Sequence, residues 1–373
     1  MKILLTGGHL TPALSFIDYV SKHHSQEKLV FVGREFSQDE LRQESVERYE
    51  VEKRNLPFIT FQAVRLGGSF YRRPIQNLRK FFDSVKQAKK ILRQQKPAVM
   101  LSFGGYLAVP LALAAKSLRI PIVTHEQTAS SGLANRLIGR LADKVAVSFT
   151  ETLSEFPSNK AVLTGNPLRA GVFSSRHPKP DWLPSKLNQP LILVMGGNQG
   201  SQAINQAVAD SLPELTKDWI VIHQCGKPTA DQPYQAILNR EKQRLPKKLQ
   251  SNYFIKEWID DQDLFWLYRH AFCAISRSGA NATQELAAAG VPSILVPLPN
   301  SRGNEQAKNA QWLVRAGGAV LLDQAELRAS TLLKSLATMK TLEPTIRKNL
   351  NQISMPENAA EQLYEVVAGV VKK

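Results

Sequence analysis

LILVMGGNQGSQAINQAVADSL, residues 191–212, reads in three phases. Leu191–Met195 is an apolar run with no polar alternation, the mark of a strand buried on both faces. Glycines at 196, 197 and 200 allow a tight turn, and from Ala203 to Leu212 the apolar positions take up a helical period. A strand that turns straight into a helix is the building unit of a parallel sheet with right-handed crossovers. The opening stretch KILLTGGHLTPALSFI, residues 2–17, has the same layout.

The alternation runs the length of the chain. Strands are predicted at Lys2–Thr6, Leu29–Val32, Phe58–Phe61, Val99–Phe103, Ile122–His125 and Val145–Phe149. A second array follows at Ala161–Thr164, Leu191–Met195, Ile220–Gln224, Phe254–Trp258, Ala274–Arg277, Ser293–Pro297 and Val320–Leu322. Helices are predicted at Leu10–Lys22, Ile75–Gln94, Leu107–Leu118, Ala203–Leu212 and Ala282–Ala289, with a last one from about Glu357 to Lys373. Two such arrays imply an α/β protein with two doubly wound domains. Six prolines between Pro157 and Pro190 place the break there. The expected boundaries are 1–160 and 161–355, with 356–373 packing back on the first domain.

With 373 residues, 43% hydrophobic and 21% charged, the composition is that of a globular protein and excludes extended disorder. Two cysteines, Cys225 and Cys273, with no CxxC spacing, fit small apolar fillers in a reducing compartment. The N-terminus reaches Gly7 too soon for a signal-peptide core of roughly 7–15 apolar residues. The apolar runs at 106–115 and 287–299 fall short of the ~20 residues that a bilayer requires. The expectation is therefore a soluble, cytoplasmic chain.

Forty-eight Lys and Arg against 32 Asp and Glu give a net charge of +16, which calls for an anionic partner. Ten of those cations fall between Arg65 and Lys96, where Asp83 is the one acid, and aromatics are interleaved. Phe70, Tyr71, Arg72, Arg73, Ile75, Arg79, Lys80 and Phe82 fit a membrane-surface segment, with rings in the headgroup region and cations on anionic lipid. The competing reading is an amphipathic helix that buries Leu78, Phe82 and Val85 in the core.

Chemistry in such sheets is sought beyond the carboxyl ends of the strands. Four of those exits carry glycine: Thr6-Gly7-Gly8-His9, Phe103-Gly104-Gly105-Tyr106, Gly196-Gly197-Asn198-Gln199-Gly200 and Ser278-Gly279-Ala280-Asn281. Close backbone approach and a helix N-terminus suit a diphosphate. None of the four is a Walker A loop or a full GxGxxG, which argues against an ATPase or a standard dinucleotide dehydrogenase. His9 at a helix start can act as a base near neutral pH or simply bond the helix terminus. His125 reads as a structural, hydrogen-bonded histidine. Glu285 is placed to accept from a vicinal diol, while Asn281 and Gln284 have capping-box spacing. Arg169 can reach a phosphate, and Gln306 and Asn309 can bind sugar hydroxyls or sit on an exposed helix start.

Eight segments, in order, carry a resemblance: TGGHLTPAL (6–14), FGGYLAVPLALAA (103–115), HEQTASSGLANRL (125–137), TGNPLR (164–169), MGGNQGSQAIN (195–205), WIDD (258–261), SRSGANATQELAAAGVPSILVPLP (276–299) and NEQAKNAQWLVRAGGA (304–319). Together they make the chain similar to the MurG-type UDP-N-acetylglucosamine transferases. The resemblance implies a GT-B fold, two Rossmann-like domains facing a cleft, and transfer of GlcNAc with inversion. The acceptor would be the MurNAc 4-hydroxyl of undecaprenyl-pyrophosphoryl-MurNAc-pentapeptide (lipid I) and the product lipid II, for peptidoglycan. It places UDP-GlcNAc on the second domain, with Glu285 on the ribose and the Ile259 backbone on uracil. Arg169, Ala280, Asn281, Ala282, Thr283 and Gln284 would hold the diphosphate, Gln306 the GlcNAc hydroxyls, and Thr128 and Asn198 further donor contacts. Gly7, Gly8, Gly104, Gly105 and Tyr106 would line the acceptor diphosphate, with His9 as catalytic base. It also implies no cofactor, no obligate metal and no nucleic-acid partner, and a peripheral location on the anionic cytoplasmic face of the bacterial membrane.

The chain departs from the family pattern in places. Its first glycine loop keeps only TGGH of the usual GGTGGH, Thr128 stands for the usual Asn after HEQ, and Asn198 for the usual Ser. Glu305-Gln306 replaces a pair of glutamines. The alternatives are a transferase of the same fold with another membrane lipid as acceptor, a UDP-GlcNAc 2-epimerase, and a non-enzymatic basic module that binds nucleic acid or membrane.

Overall fold

A computed structural model describes residues 1–38, 43–64, 74–197, 199–227 and 233–371. The chain divides into two units, Met1–Arg169 with Pro356–Lys373, and Ala170–Met355. The sequence boundary at 160 falls nine residues before the division at Arg169.

In the first unit the strands are β1 (Lys2–Thr6), β2 (Lys28–Gly33), a short antiparallel pair β3 (Phe36–Gln38) and β4 (Gln43–Glu44), β5 (Phe58–Thr60), β6 (Val99–Ser102), β7 (Ile122–Glu126), β8 (Lys144–Val147) and β9 (Ala161–Leu163). All but the short pair form one parallel sheet in the order β5-β2-β1-β6-β7-β8-β9. Its helices are α1 (Leu10–His23), α2 (Val46–Glu52), α3 (Pro74–Gln95), α4 (Ala108–Ser117) and α5 (Leu133–Leu141). One apolar layer joins Leu4, Met100, Ile122 and Val145 to Leu92 of α3 and Leu111 of α4. The other joins Ile3, Leu5, Leu101 and Val123 to Phe16 and Ile17 of α1. Alternate residues of one strand therefore feed opposite layers, so β1 and its neighbours are apolar throughout.

The second unit repeats the plan with β10 (Leu191–Met195), α6 (Gln202–Asp218), β11 (Ile220–Gln224), α7 (Tyr234–Arg244), α8 (Lys247–Gln250) and β12 (Tyr253–Lys256). Then come α9 (Asp261–His270), β13 (Ala271–Ser276), α10 (Ala280–Ala288), β14 (Ser293–Leu295), α11 (Glu305–Arg315), β15 (Ala319–Leu321) and α12 (Ala329–Leu350). The parallel order is β12-β11-β10-β13-β14-β15. Burying each of the Leu, Ile and Val side chains of β10 stabilises the unit by about 1.5–3 kcal/mol. The chain then returns to the first unit, where α13 (Ala359–Val371) lays Leu363 and Val367 in the same layer as Phe16 and Ile17. Gly165 meets this return so closely that a Cβ there would lie 2.1 Å from Pro356 Cγ.

Strand order reverses direction in each sheet at one place, between β1 and β6 and between β10 and β13. The four glycine exits noted in the sequence are the exits of these two strand pairs. Each unit thus presents its glycines at its own topological switch point, the position where open α/β sheets bind ligands.

Candidate active site

At the β1–β6 switch point two loops meet backbone to backbone. The Gly8 N–H donates to the Gly104 carbonyl at 3.0 Å, and a Cβ on Gly105 would lie 2.8 Å from Gly8 N. Gly105 also has φ +83°, which an L side chain adopts only with strain. The result is a floor of main chain at the start of α1. Tyr106 follows it, half-buried against the α4 layer. At the neighbouring exit of β2, the Arg34 guanidinium meets the buried Glu47 carboxylate at 2.9 Å. Burial works against the charge of Arg34, but Glu47 and Tyr106 outweigh it and hold the guanidinium above its ordinary pKa.

The exit of β7 supports that floor from below. Glu126 is 1% exposed, and its Oε1 accepts from the Thr128 N–H (3.0 Å) and hydroxyl (2.6 Å). Its Oε2 accepts from the Gly132 N–H (3.1 Å) and from Asn135 Nδ2 (2.9 Å). Asn135 in turn closes on Gly104, where a Cβ would stand 2.9 Å from its amide nitrogen. His125 is buried, and burial pushes it down to about 4, with His9 a lesser cause. It is neutral near pH 7, with Nε2 at 3.1 Å from the Gly165 carbonyl, so this ring is the structural histidine that the sequence suggested.

His9 is different. It precedes α1 in extended conformation and its side chain makes no capping bond, which removes the simple helix-start reading. Instead its Nδ1 lies 2.6 Å from the side-chain nitrogen of Gln127, 118 residues away. Thr128, expected among the donor contacts, lies in the first unit, its hydroxyl bonded to Glu126 and to the Ser130 carbonyl.

In the second unit α10 starts at Ala280 behind Gly279, with no side-chain cap. This corrects the capping-box expectation: with Gly279 at the N-cap, Asn281 and Gln284 are two positions too far into the helix to serve it. By contrast α6 and α2 are capped by the side chains of Ser201 and Ser45. Thr283, Gln284 and Glu285 are buried, and Ala280 is as well, while Asn281 and Ala282 are half-buried. Glu285 is 2% exposed, and its Oε2 accepts from the Tyr268 hydroxyl of α9 at 3.2 Å. The Ile259 N–H donates to Gln224 Oε1 at 3.1 Å, which leaves its carbonyl as the backbone group to offer a base. The Ser278 hydroxyl donates to the Gln306 carbonyl, and Asn309 Nδ2 to the Ser278 carbonyl, so the start of α11 is laced to the exit of β13. Asn309 is buried in that lacing rather than placed on an exposed helix start. Gln306 Oε1 accepts from the Leu298 N–H at 2.9 Å. Arg169 is half-buried at the end of the first unit's main segment, and Asn198 lies outside the described residues.

On α3 the structure decides against a fully buried apolar stripe. Leu78 and Phe82 are 49% and 56% exposed, beside exposed Arg79 and Lys80, while Ser84, Ala88, Ile91 and Leu92 face inward. Phe70, Tyr71, Arg72 and Arg73 lie outside the described residues, as does the side chain of Ile75. Among the described residues no helix is long and apolar enough to cross a membrane. Sequence reasoning passed over Gln127, although it lies inside the HEQT segment, and Tyr268 and the Arg34–Glu47 pair gave no signal.

Two family models match: the glycosyltransferase family 28 N-terminal domain over residues 6–147 and its C-terminal domain over residues 191–366. The chain is 33% identical over 374 residues, 98% of each chain, to the UDP-N-acetylglucosamine--N-acetylmuramyl-(pentapeptide) pyrophosphoryl-undecaprenol N-acetylglucosamine transferase of Listeria welshimeri. It is 32% identical, over 100% of this chain and 99% of the other, to the protein of the same name from Leuconostoc mesenteroides. Among solved structures, Acinetobacter baumannii MurG superimposes with a TM-score of 0.74 over 99% of both chains at 24% identity, which establishes the GT-B fold.

Proposed function

The chain belongs to glycosyltransferase family 28, and we infer that it carries out the reaction for which its relatives are named. It transfers N-acetylglucosamine from UDP-GlcNAc to the MurNAc 4-hydroxyl of lipid I, giving lipid II for peptidoglycan. The observation that carries this reading is identity of about one residue in three with those enzymes from end to end, both domains included.

The site residues divide between the two units. On the second, the uncapped start of α10 offers a positive dipole end to the UDP diphosphate; Arg169, which ends the first unit's main segment, is the cation proposed for a phosphate. Ala280, Asn281, Ala282, Thr283 and Gln284 form that helix start, and Asn198 belongs to the neighbouring glycine loop. Glu285 accepts from the ribose hydroxyls, the Ile259 carbonyl accepts from the uracil N3–H, and Gln306 meets the sugar. On the first unit, Gly7, Gly8, Gly104 and Gly105 give the acceptor diphosphate close access to backbone at the start of α1, beside Tyr106. Thr128 acts there by holding Glu126. His9 takes the proton of the 4-hydroxyl. The hydroxyl oxygen attacks the anomeric carbon from the face opposite the diphosphate, and UDP leaves with the electron pair of the broken bond, stabilised by the helix start.

The exposed pair Leu78 and Phe82, with Arg79, Lys80 and the rest of the basic face of α3, supports docking on anionic lipid at the cytoplasmic face, where a lipid-linked acceptor is presented. UDP release from UDP-GlcNAc, with and without a short-chain lipid I analogue, tests the activity. Release that depends on the analogue and weakens in Glu285→Ala is expected. Donor binding without acceptor-dependent release would move the acceptor to another membrane lipid. In the same preparations, Leu78→Ser with Phe82→Ser should lose sedimentation with anionic vesicles but keep UDP binding; unchanged sedimentation would remove α3 from the membrane contact.

A further inference from the structure

We propose that Gln127 is the positioning residue of His9, its side-chain oxygen holding the imidazole Nδ1–H so that Nε2 turns a lone pair to the acceptor hydroxyl. The inference rests on the reading of His9 as the base.

Gln127 stands 2.6 Å from His9 Nδ1 and is 4% exposed. A half-turn of its carboxamide exchanges oxygen and nitrogen at that spot without moving any other atom. The two orientations have different consequences for the ring. With the amide N–H toward Nδ1, the neutral ring carries its proton on Nε2 and has nothing with which to accept another. Once protonated, such a ring would also bring N–H against N–H. With the amide oxygen toward the ring, Nδ1–H is donated in the neutral and the protonated state alike. A base that alternates between those states needs the second orientation.

In the step itself the 4-hydroxyl proton passes to Nε2. The oxygen electron pair forms the bond to the anomeric carbon, and the carbon–diphosphate bond breaks with its pair on UDP. The imidazolium then releases its proton to solvent.

Anchoring of the chain on both sides makes Gln127 a fixed support. Glu126 is held by four donors, and Thr128 by Glu126 and Ser130. The charge setting suits the role as well: His125 nearby is neutral, and the Glu126 carboxylate is turned to Thr128, Gly132 and Asn135. Sequence separation hid the pairing, because β1 and β7 bring the two exits together only in the folded sheet.

Steady-state kinetics on four variants test it. His9→Ala should lower kcat by roughly 10²- to 10³-fold, the usual worth of a general base. Gln127→Met, close in volume but without the acceptor, should lower kcat about tenfold and leave the UDP-GlcNAc KM within about twofold. Gln127→Glu keeps the acceptor and should recover turnover, with the acid limb of kcat/KM for the lipid I analogue moved up by about one pH unit, because a carboxylate at Nδ1 favours the imidazolium. The double variant His9→Ala/Gln127→Met should match His9→Ala alone, since the glutamine acts only through the histidine. Gln127→Met costing the same factor with and without His9, or an unmoved acid limb in Gln127→Glu, assigns the glutamine to folding and overturns the proposal. A silent Gln127→Met overturns it and leaves His9 as base. A silent His9→Ala removes the base and the role of Gln127 with it.

Discussion

Glu126 in the first unit and Glu285 in the second are both sealed from solvent, at 1% and 2% exposure; Glu126 ends β7, beside the glycine exit of β6, and Glu285 lies in α10, behind the glycine exit of β13. Their surroundings differ. Glu126 spends both oxygens on this chain's own donors: two from Thr128, one from Gly132 and one from Asn135. Glu285 faces the Tyr268 hydroxyl on one oxygen and stands one turn into an uncapped helix. The first arrangement fixes a loop; the second, on the function proposed above, presents its carboxylate to the ribose. Burial of an acid therefore does not itself mark a binding residue.

The comparison breaks most visibly at Glu126. Glu126→Ala removes the acceptor shared by four donors, of which the Thr128 hydroxyl and Asn135 Nδ2 keep the Ser130 and His125 carbonyls, and hydrogen bonds to a charged group are worth about 1.5–3 kcal/mol each before the loop relaxes. A loss of roughly 3–5 kcal/mol in urea unfolding is expected, on the scale of breaking a buried charged network. Glu285→Gln should cost well under half of that and appear instead in donor KM. Equal stability losses for the two variants would erase the distinction.

Next in size is a pH effect that the two units share. His125 in the first is pushed down to about 4 and His223 in the second to about 3, in both cases mainly by burial. The folded rings resist protonation while the unfolded chain takes a proton near pH 6.5. Their contribution is therefore whole above about 6.5 and shrinks as pH falls toward 4 and 3. At pH 5 each costs on the order of 2 kcal/mol relative to pH 7.5. His223→Gln should flatten the acid limb of the stability curve by about one proton's slope. A wild-type curve flat between pH 7.5 and 5 contradicts neutral burial of both rings.

How legible all this was depended on how local the signal was. The buried parallel strands read cleanly, since residues such as Leu191–Met195 are apolar on both faces, and β1, β10 and β11 coincide with the residues expected. The short α5 and the charged α7 and α9 did not declare themselves, and neither did β3 and β4, which lack alternation. The glycine exits were legible because φ and close approach restrict the residue type locally. That they form two switch-point pairs needed the strand order. Asn281 and Gln284 misled because capping-box spacing survives a shift of helix start that the sequence does not fix. Gln127, Tyr268 and the Arg34–Glu47 pair escaped because their partners lie from 13 to 118 residues away, and nothing in a neutral amide or a phenol announces its partner.

The smallest expected effect is the sharpest probe of the contrast. Tyr268→Phe removes the hydroxyl that meets Glu285 Oε2 at 3.2 Å and keeps the ring that packs in the second unit's core. Loss of one hydrogen bond to a charged acceptor, long at 3.2 Å, should change stability by about 1.5 kcal/mol, the low end of that range. If the tyrosine steadies the carboxylate for ribose, the UDP-GlcNAc KM should rise about three- to fivefold with kcat nearly unchanged, on the scale of a single hydrogen bond. A packing role alone would weaken UDP and 2′-deoxy-UDP in proportion. A carboxylate that has lost its aim should instead lose preference for UDP over the deoxy ligand, which titration calorimetry measures directly. Preserved preference in Tyr268→Phe, together with lost preference in Glu285→Ala, would leave Glu285 as the ribose acceptor and reduce Tyr268 to core packing. Lost preference in both would mean that the second unit, like the first, supports its working residue through a neutral hydrogen-bonding side chain supplied by another element of the sheet.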